Sequence, residues 1–127
     1  MPEMQLYEYA IIRILPCAER GEFVNVGLAM MCKRRKWLRV AISINRSRLS
    51  EIARGIDTAA MEDQLRSFEL VASGSAQGGP LAELTVEERF RWLTAMRSAS
   101  LRTSRPHPGL TTDLDSTFTQ LMERLVL

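Results

Sequence analysis

One histidine and two cysteines in 127 residues cannot furnish the four nitrogen or sulfur ligands that a structural zinc site usually takes. A glycine-rich phosphate loop, a serine elbow and a paired-histidine motif are also missing. No metal and no familiar cofactor is therefore expected. Aromatic residues make up only 6% of the chain, too few to suggest a base-stacking surface. The longest apolar run, VGLAMMC at 26–32, falls far short of the roughly 20 residues that cross a bilayer. The opening MPEMQLYEY lacks the basic-then-apolar order of a secretory signal. These absences point to a cytoplasmic location without membrane insertion, with Cys17 and Cys32 as reduced thiols.

What is present suits one domain spanning 1–127. Apolar residues reach 46% and charged residues 25%, close to the globular average, and a chain of this length can bury a core without staples. The formal net charge is +2, too small to imply nucleic acid or anionic lipid. Fifteen of the seventeen basic residues are arginines. Their planar guanidinium groups suit intramolecular bridges and ligand clamps alike.

Three segments read as strands, forming a β-meander over 6–44. LYEYAIIRIL at 6–15 is rich in aromatic and β-branched residues and stops at Pro16; FVNVGLAMMC at 23–32 and WLRVAISI at 37–44 flank the turn KRRK. A register that sets Arg13 opposite Asn25 and Leu38 opposite Cys32 gathers Ile12, Ile14, Val24, Val26, Leu28, Met30, Val40, Ile42 and Ile44 on one face. The reverse face then carries Tyr7, Tyr9, Ile11, Arg13, Asn25, Gly27, Ala29, Ala41, Ser43 and Asn45. It forms a shallow trough of small residues around Gly27, open to a helix, a partner or a ligand.

A helical part follows over 46–127. Leu49, Ile52 and Ala53 have helical spacing before Gly55; Asp57 can cap a helix with Met61, Leu65, Phe68 and Ala72 on one stripe. Residues 73–80 read as a mobile loop. Thr85 and Glu88 form a capping box ahead of Val86, Phe90 and Leu93. An edge strand is expected within 99–105, whereas RPHPG at 105–109 reads as irregular because of its prolines. Thr112 or Asp113 caps a last helix with Leu114, Phe118, Leu121 and Leu125 inward. The class expected is α+β: an antiparallel sheet of three to four strands with helices packed on one face.

Two clusters could carry chemistry. Arg13, Glu19, Arg20, Glu22 and Asn25 converge at the mouth of the first hairpin, where an arginine beside a carboxylate can bind an anion or hold a base. The structural alternative pairs Arg13 with Glu22 or Glu19 and spends Asn25 on turn backbone. Arg97, Ser98 and His107 form the second cluster, with His107 able to move a proton near neutral pH; its alternative is an exposed or helix-capping ring. KRRK at 33–36 is the densest basic patch, and Trp37 and Trp92 are better placed to pack than to stack on bases.

YEYAIIRILPCAERGEFVNVGLAMMC near the start, RFRWLTAMRS at 89–98 and HPGLTTD at 107–113 together resemble the bacterial family called domain of unknown function 3037, over nearly the whole chain. The resemblance implies family positions at Arg13, Pro16, Glu19, Arg20, Glu22, Phe23, Asn25 and Gly27, then at Arg89, Phe90, Trp92, Arg97, Ser98, His107 and Gly109. Met96 stands where the family often has proline, and Pro108 where it often has threonine. The family carries over no activity; its members often look like neighbours of HipA-like kinases in bacterial genomes, and the resemblance thereby implies a partner or regulator.

Three functional classes follow. The first is a small binding or regulatory domain whose trough and hairpin mouth receive another protein, such as a HipA-like kinase. The second is an enzyme acting on a phosphate- or carboxylate-bearing substrate, with Arg13 and Arg97 as clamp, Glu22 or His107 as proton carrier and Asn25 as orienting group. That class requires the two clusters to meet. The third is nucleic-acid binding through KRRK, Arg39 and Arg46.

Overall fold

The computed structural model describes residues 3–16, 20–52, 58–95 and 101–127. Strands β1 (Gln5–Ile14), β2 (Val24–Cys32) and β3 (Trp37–Ile42) form the antiparallel meander, and helices α1 (Arg46–Ile52), α2 (Thr58–Ser73) and α3 (Val86–Ala95) come next. β4 (Leu101–Thr103) and β5 (His107–Thr111) precede α4 (Leu114–Leu125). The α+β class and the antiparallel sheet are as expected. The sheet has five strands rather than three or four, because β4 and β5 both pair with β1, at Ile12–Ile14 and Gln5–Tyr9 respectively. HPGLT is thus a strand and not the irregular segment its prolines suggested. Pro108 is tolerated there because β5 lies at the sheet edge, where a missing amide donor goes unnoticed.

Arg13 does face Asn25, but the pairing between β1 and β2 shifts at that point: Ile12 opposes Gly27, and Val26 is the extra residue of a β-bulge. A bulge reverses the alternation of every side chain beyond it. β3 also lies one residue from the expected register, with Leu38 opposite Met31 and Trp37 opposite Cys32. Two corrections follow. Leu28 and Met30 leave the face of Ile12 and Ile14 and join Ile11 on the reverse side. Gly27 moves the other way, so close to its neighbours that an added Cβ would lie 2.7 Å from both the Ala41 carbonyl oxygen and Ile42 Cδ1.

Helices cover both faces, not one. On the first, Ile12, Ile14, Val24 and Val26 meet Leu49 of α1, Met61, Leu65 and Phe68 of α2, and Leu93 of α3. Val86 and Phe90 of α3 cover Ala10, Ala29 and Met31 further along. On the second face α4 lays Phe118, Leu121 and Met122 over Ile11, Leu28 and Met30. The expected trough therefore does not form: Gly27 and Ala29 turn to the first face, and α4 covers the Leu28 and Met30 that replace them. Trp37 meets Phe118 edge-on at 6.1 Å, and Trp92 meets Phe68 at 6.3 Å, so both indoles pack inward.

Local chemistry sets the helix ends. Asp113 caps α4 by accepting from the Ser116 amide at 3.1 Å. Thr85 caps α3 through the Glu88 amide at 3.2 Å, while its hydroxyl donates to the Glu88 carboxylate at 2.9 Å. Residues 76–83, expected as part of a loop and its sequel, form two 3₁₀ turns joined at Gly79, φ 74°. Arg89 ties α3 to the end of α2, donating to the Val71 and Ala72 carbonyls at 3.0 and 2.8 Å. A helix terminus leaves such carbonyls short of intrahelical donors, and Arg89 joins the Gly74 amide on Val71. The proposed Asp57 cap and Gly55 stop lie outside the described residues.

The Gly27 geometry makes a direct prediction. Gly27→Ala must push against backbone, and such overpacking costs about 1–3 kcal/mol. Urea unfolding should show that loss in midpoint at unchanged slope.

Candidate functional site

The hairpin mouth is assembled on the α4 face. Arg13 donates through Nε to Asn25 Oδ1 at 3.3 Å, and its guanidinium lies 4.3 Å from the centre of the Phe23 ring. Asn25 uses its other end to donate through Nδ2 to the Leu125 carbonyl at 2.9 Å. That carbonyl belongs to the last turn of α4 and has no acceptor role within the helix. Asn25 thus clasps β2 to α4 and simultaneously orients Arg13, which satisfies part of the structural reading while changing its target from turn to helix end.

Glu22 does not bridge Arg13. It pairs with Arg20 at 2.7 Å in an exposed position, where such bridges add little. Glu19 lies outside the described residues, as do Arg97 and Ser98 of the second cluster. Arg13 instead faces Arg102 directly across the β1–β4 pairing, a neighbour that sequence reasoning missed. Its signal was weak because β4 is three residues long and its register is set by β1. The Arg102 Nε is buried without a hydrogen-bond acceptor. Burial also pushes the Arg13 pKa below its ordinary value, yet a guanidinium stays charged at neutral pH.

His107 stands elsewhere. Its register partner is Tyr9, and the two rings lie 5.3 Å apart. Four residues of extended strand separate Tyr9 from Arg13, roughly 13 Å at about 3.3 Å per residue. Arg13 and His107 thus belong to separate stretches of β1 and its β5 pairing. Tyr7 continues the aromatic strip 6.3 Å from Tyr9 and lies across Gly109, where any Cβ would overlap its ring.

The basic residues proposed for nucleic acid are dispersed. Arg39 pairs with Asp115 at 2.7 Å against Trp37 and Phe118, Arg46 pairs with Glu62 at 2.6 Å, and Lys33 approaches Glu87 at 3.3 Å. KRRK forms a four-residue turn closed by the Lys36 amide on the Lys33 carbonyl at 3.1 Å. Beside this turn is an open cleft lined by Met4, Leu6, Lys33, Arg34 and Leu110. Leu6 and Leu110 oppose each other in the β1–β5 register and are 63% and 60% exposed, with Met4 at 53%. No helix among the described residues covers this corner.

Cys32 is a buried free thiol. Among the described residues there is no group of three metal-ligating side chains, and no helix is long and apolar enough to cross a membrane.

The family model described as "Protein of unknown function (DUF3037)" matches residues 9–126. The chain belongs to that family. No curated protein matches it, and no solved structure does.

The clasp predicts unequal sensitivities at the hairpin mouth. Asn25→Ala strands the Leu125 carbonyl and frees Arg13, so it should destabilise by about 1–3 kcal/mol and speed amide exchange in the last turn of α4. Glu22→Gln breaks only an exposed pair and should change stability by less than about 0.5 kcal/mol. Urea unfolding of both variants checks the contrast.

Proposed function

We propose that this member of the DUF3037 family is a protein-binding regulatory domain, and that it docks its partner at the Met4–Leu6–Leu110 corner. The trough first considered for that role does not form, since Leu28 and Met30 stand there in place of Gly27 and Ala29 and α4 covers them, so the docking site is assigned to a surface that remains open. The observation that carries it is the pairing of three exposed apolar side chains with the basic β2–β3 turn in one cleft. Exposed apolar groups gathered within a polar rim mark interaction surfaces.

The charge of the rim specifies the partner. Arg34 makes only a loose pair with Glu3 at 3.6 Å, and Arg35 and Lys36 have no ion pair among the described residues. An apolar segment flanked by acidic residues complements that arrangement. A second copy of the same chain does so poorly, because a two-fold contact at this corner would bring two basic turns together. A HipA-like kinase is the partner class to which the family resemblance points.

An enzyme acting on a phosphate or carboxylate substrate finds less support. Its proposed proton carriers, Glu22 and His107, are tied to Arg20 and packed on Tyr9 respectively, and the register partner of His107 lies four strand residues from Arg13.

Co-expression of the full chain with a HipA-like kinase from the same genome, followed by size-exclusion chromatography, tests the proposal. A complex should form, weaken at least tenfold in the Leu6→Asp/Leu110→Asp double variant, and loosen with added salt. The exposed positions leave the fold intact, which circular dichroism verifies. A chain that elutes alone beside the kinase, or a double variant that binds as well as the parent, overturns the docking assignment.

A further inference from the structure

Arg13 and Arg102 present an unusual pairing. They occupy opposed positions on β1 and β4, a geometry that places Cβ atoms about 5 Å apart and makes like charges repel. Neither forms an ion pair among the described residues. The nearest described acid in the hairpin, Glu22, is committed to Arg20.

The hydrogen bonding is equally incomplete. Arg13 spends Nε on Asn25 and its flat face on Phe23, which leaves its terminal nitrogens for another acceptor. Arg102 Nε is buried with nothing to accept from it, a loss of the kind that costs about 1–3 kcal/mol when uncompensated. The C-terminal end of α4 contributes some negative potential nearby, but the Leu125 carbonyl already receives the Asn25 amide. Two cations thus stand at opposed strand positions with no carboxylate partner among the described residues, one of them oriented by Asn25 and the other with a buried donor left unpaired.

We infer that Arg13 and Arg102 together bind an oxyanion, the carboxylate or phosphate group of a ligand. An oxyanion accepts from both guanidinium groups, cancels their repulsion and satisfies the buried Arg102 donor. Asn25 is the positioning residue: its contact with Leu125 fixes the angle at which Arg13 meets the anion. This subsite is separate from the apolar corner and stands independently of the partner assigned to it.

The test uses the full chain and two probes, inorganic phosphate and acetate, titrated at constant ionic strength with chloride as balance. Arginine Nε–H resonances and thermal melting are followed together. Phosphate, acetate or both should shift the Arg102 Nε–H signal saturably and raise the melting temperature by about 5 °C at ten times Kd; the effective probe identifies the ligand group. Arg102→Gln should abolish the melting shift. An Arg102 signal unmoved by either probe overturns the inference, as does a variant that keeps the full thermal response. If the variant fails to fold, the resonance measurement on the parent chain alone decides.

Discussion

One additional residue in β2 governs the architecture. Without the bulge at Val26, strand alternation would carry Leu28 and Met30 to the side of Ile12 and Ile14 and leave the reverse side with glycine and alanine. Because the alternation reverses there, Val24 and Val26 join Ile12 and Ile14 on one face while Leu28 and Met30 join Ile11 on the other. A sheet that is apolar on both sides requires cover on both sides, and α4 meets the second requirement while α1, α2 and α3 meet the first. Gly27, immediately beyond the extra residue, lets β3 approach where a side chain would collide.

Arginine abundance has two different outcomes in this molecule. Arg89 closes the end of α2 through backbone carbonyls, Arg39 lies between an acid and two aromatic rings, and Arg46 joins α1 to α2. Each is neutralised or hydrogen-bonded by the fold itself. Arg13 and Arg102 differ because strand pairing forces them together before any side-chain preference is consulted. Neither has an ion pair among the described residues, and Arg102 Nε is buried without an acceptor, which is the shortfall behind the proposed anion subsite.

Much of the fold was legible because its signals are local. The meander, the Thr85 capping box, the Asp113 cap and the inward Phe118 and Leu121 all rest on turn chemistry or helical spacing. The face assignment failed at VGLAMMC, since a run that is apolar at odd and even positions alike hides any change of phase. β5 was missed because proline argues against a strand only where a neighbour needs its amide. The polar hairpin mouth was visible as a cluster, and Arg13 and Asn25 do meet. Glu22 pairs with Arg20 and not with Arg13, since a loop glutamate can choose between two arginines on grounds of reach that composition does not encode, and Glu19 lies outside the described residues. Arg102 entered the picture only through long-range pairing, 89 positions from Arg13 by subtraction of their register numbers.

The clasp between Asn25 and Leu125 joins positions 100 apart in sequence, and this separation has a consequence for synthesis. A ribosome working at about 5–20 residues per second completes the meander about 4–17 seconds before α4 is made. Throughout that interval Ile11, Leu28 and Met30 face solvent on a sheet already able to pair. The nascent chain is accordingly most open to adhesion and to chaperone capture before α4 leaves the exit tunnel.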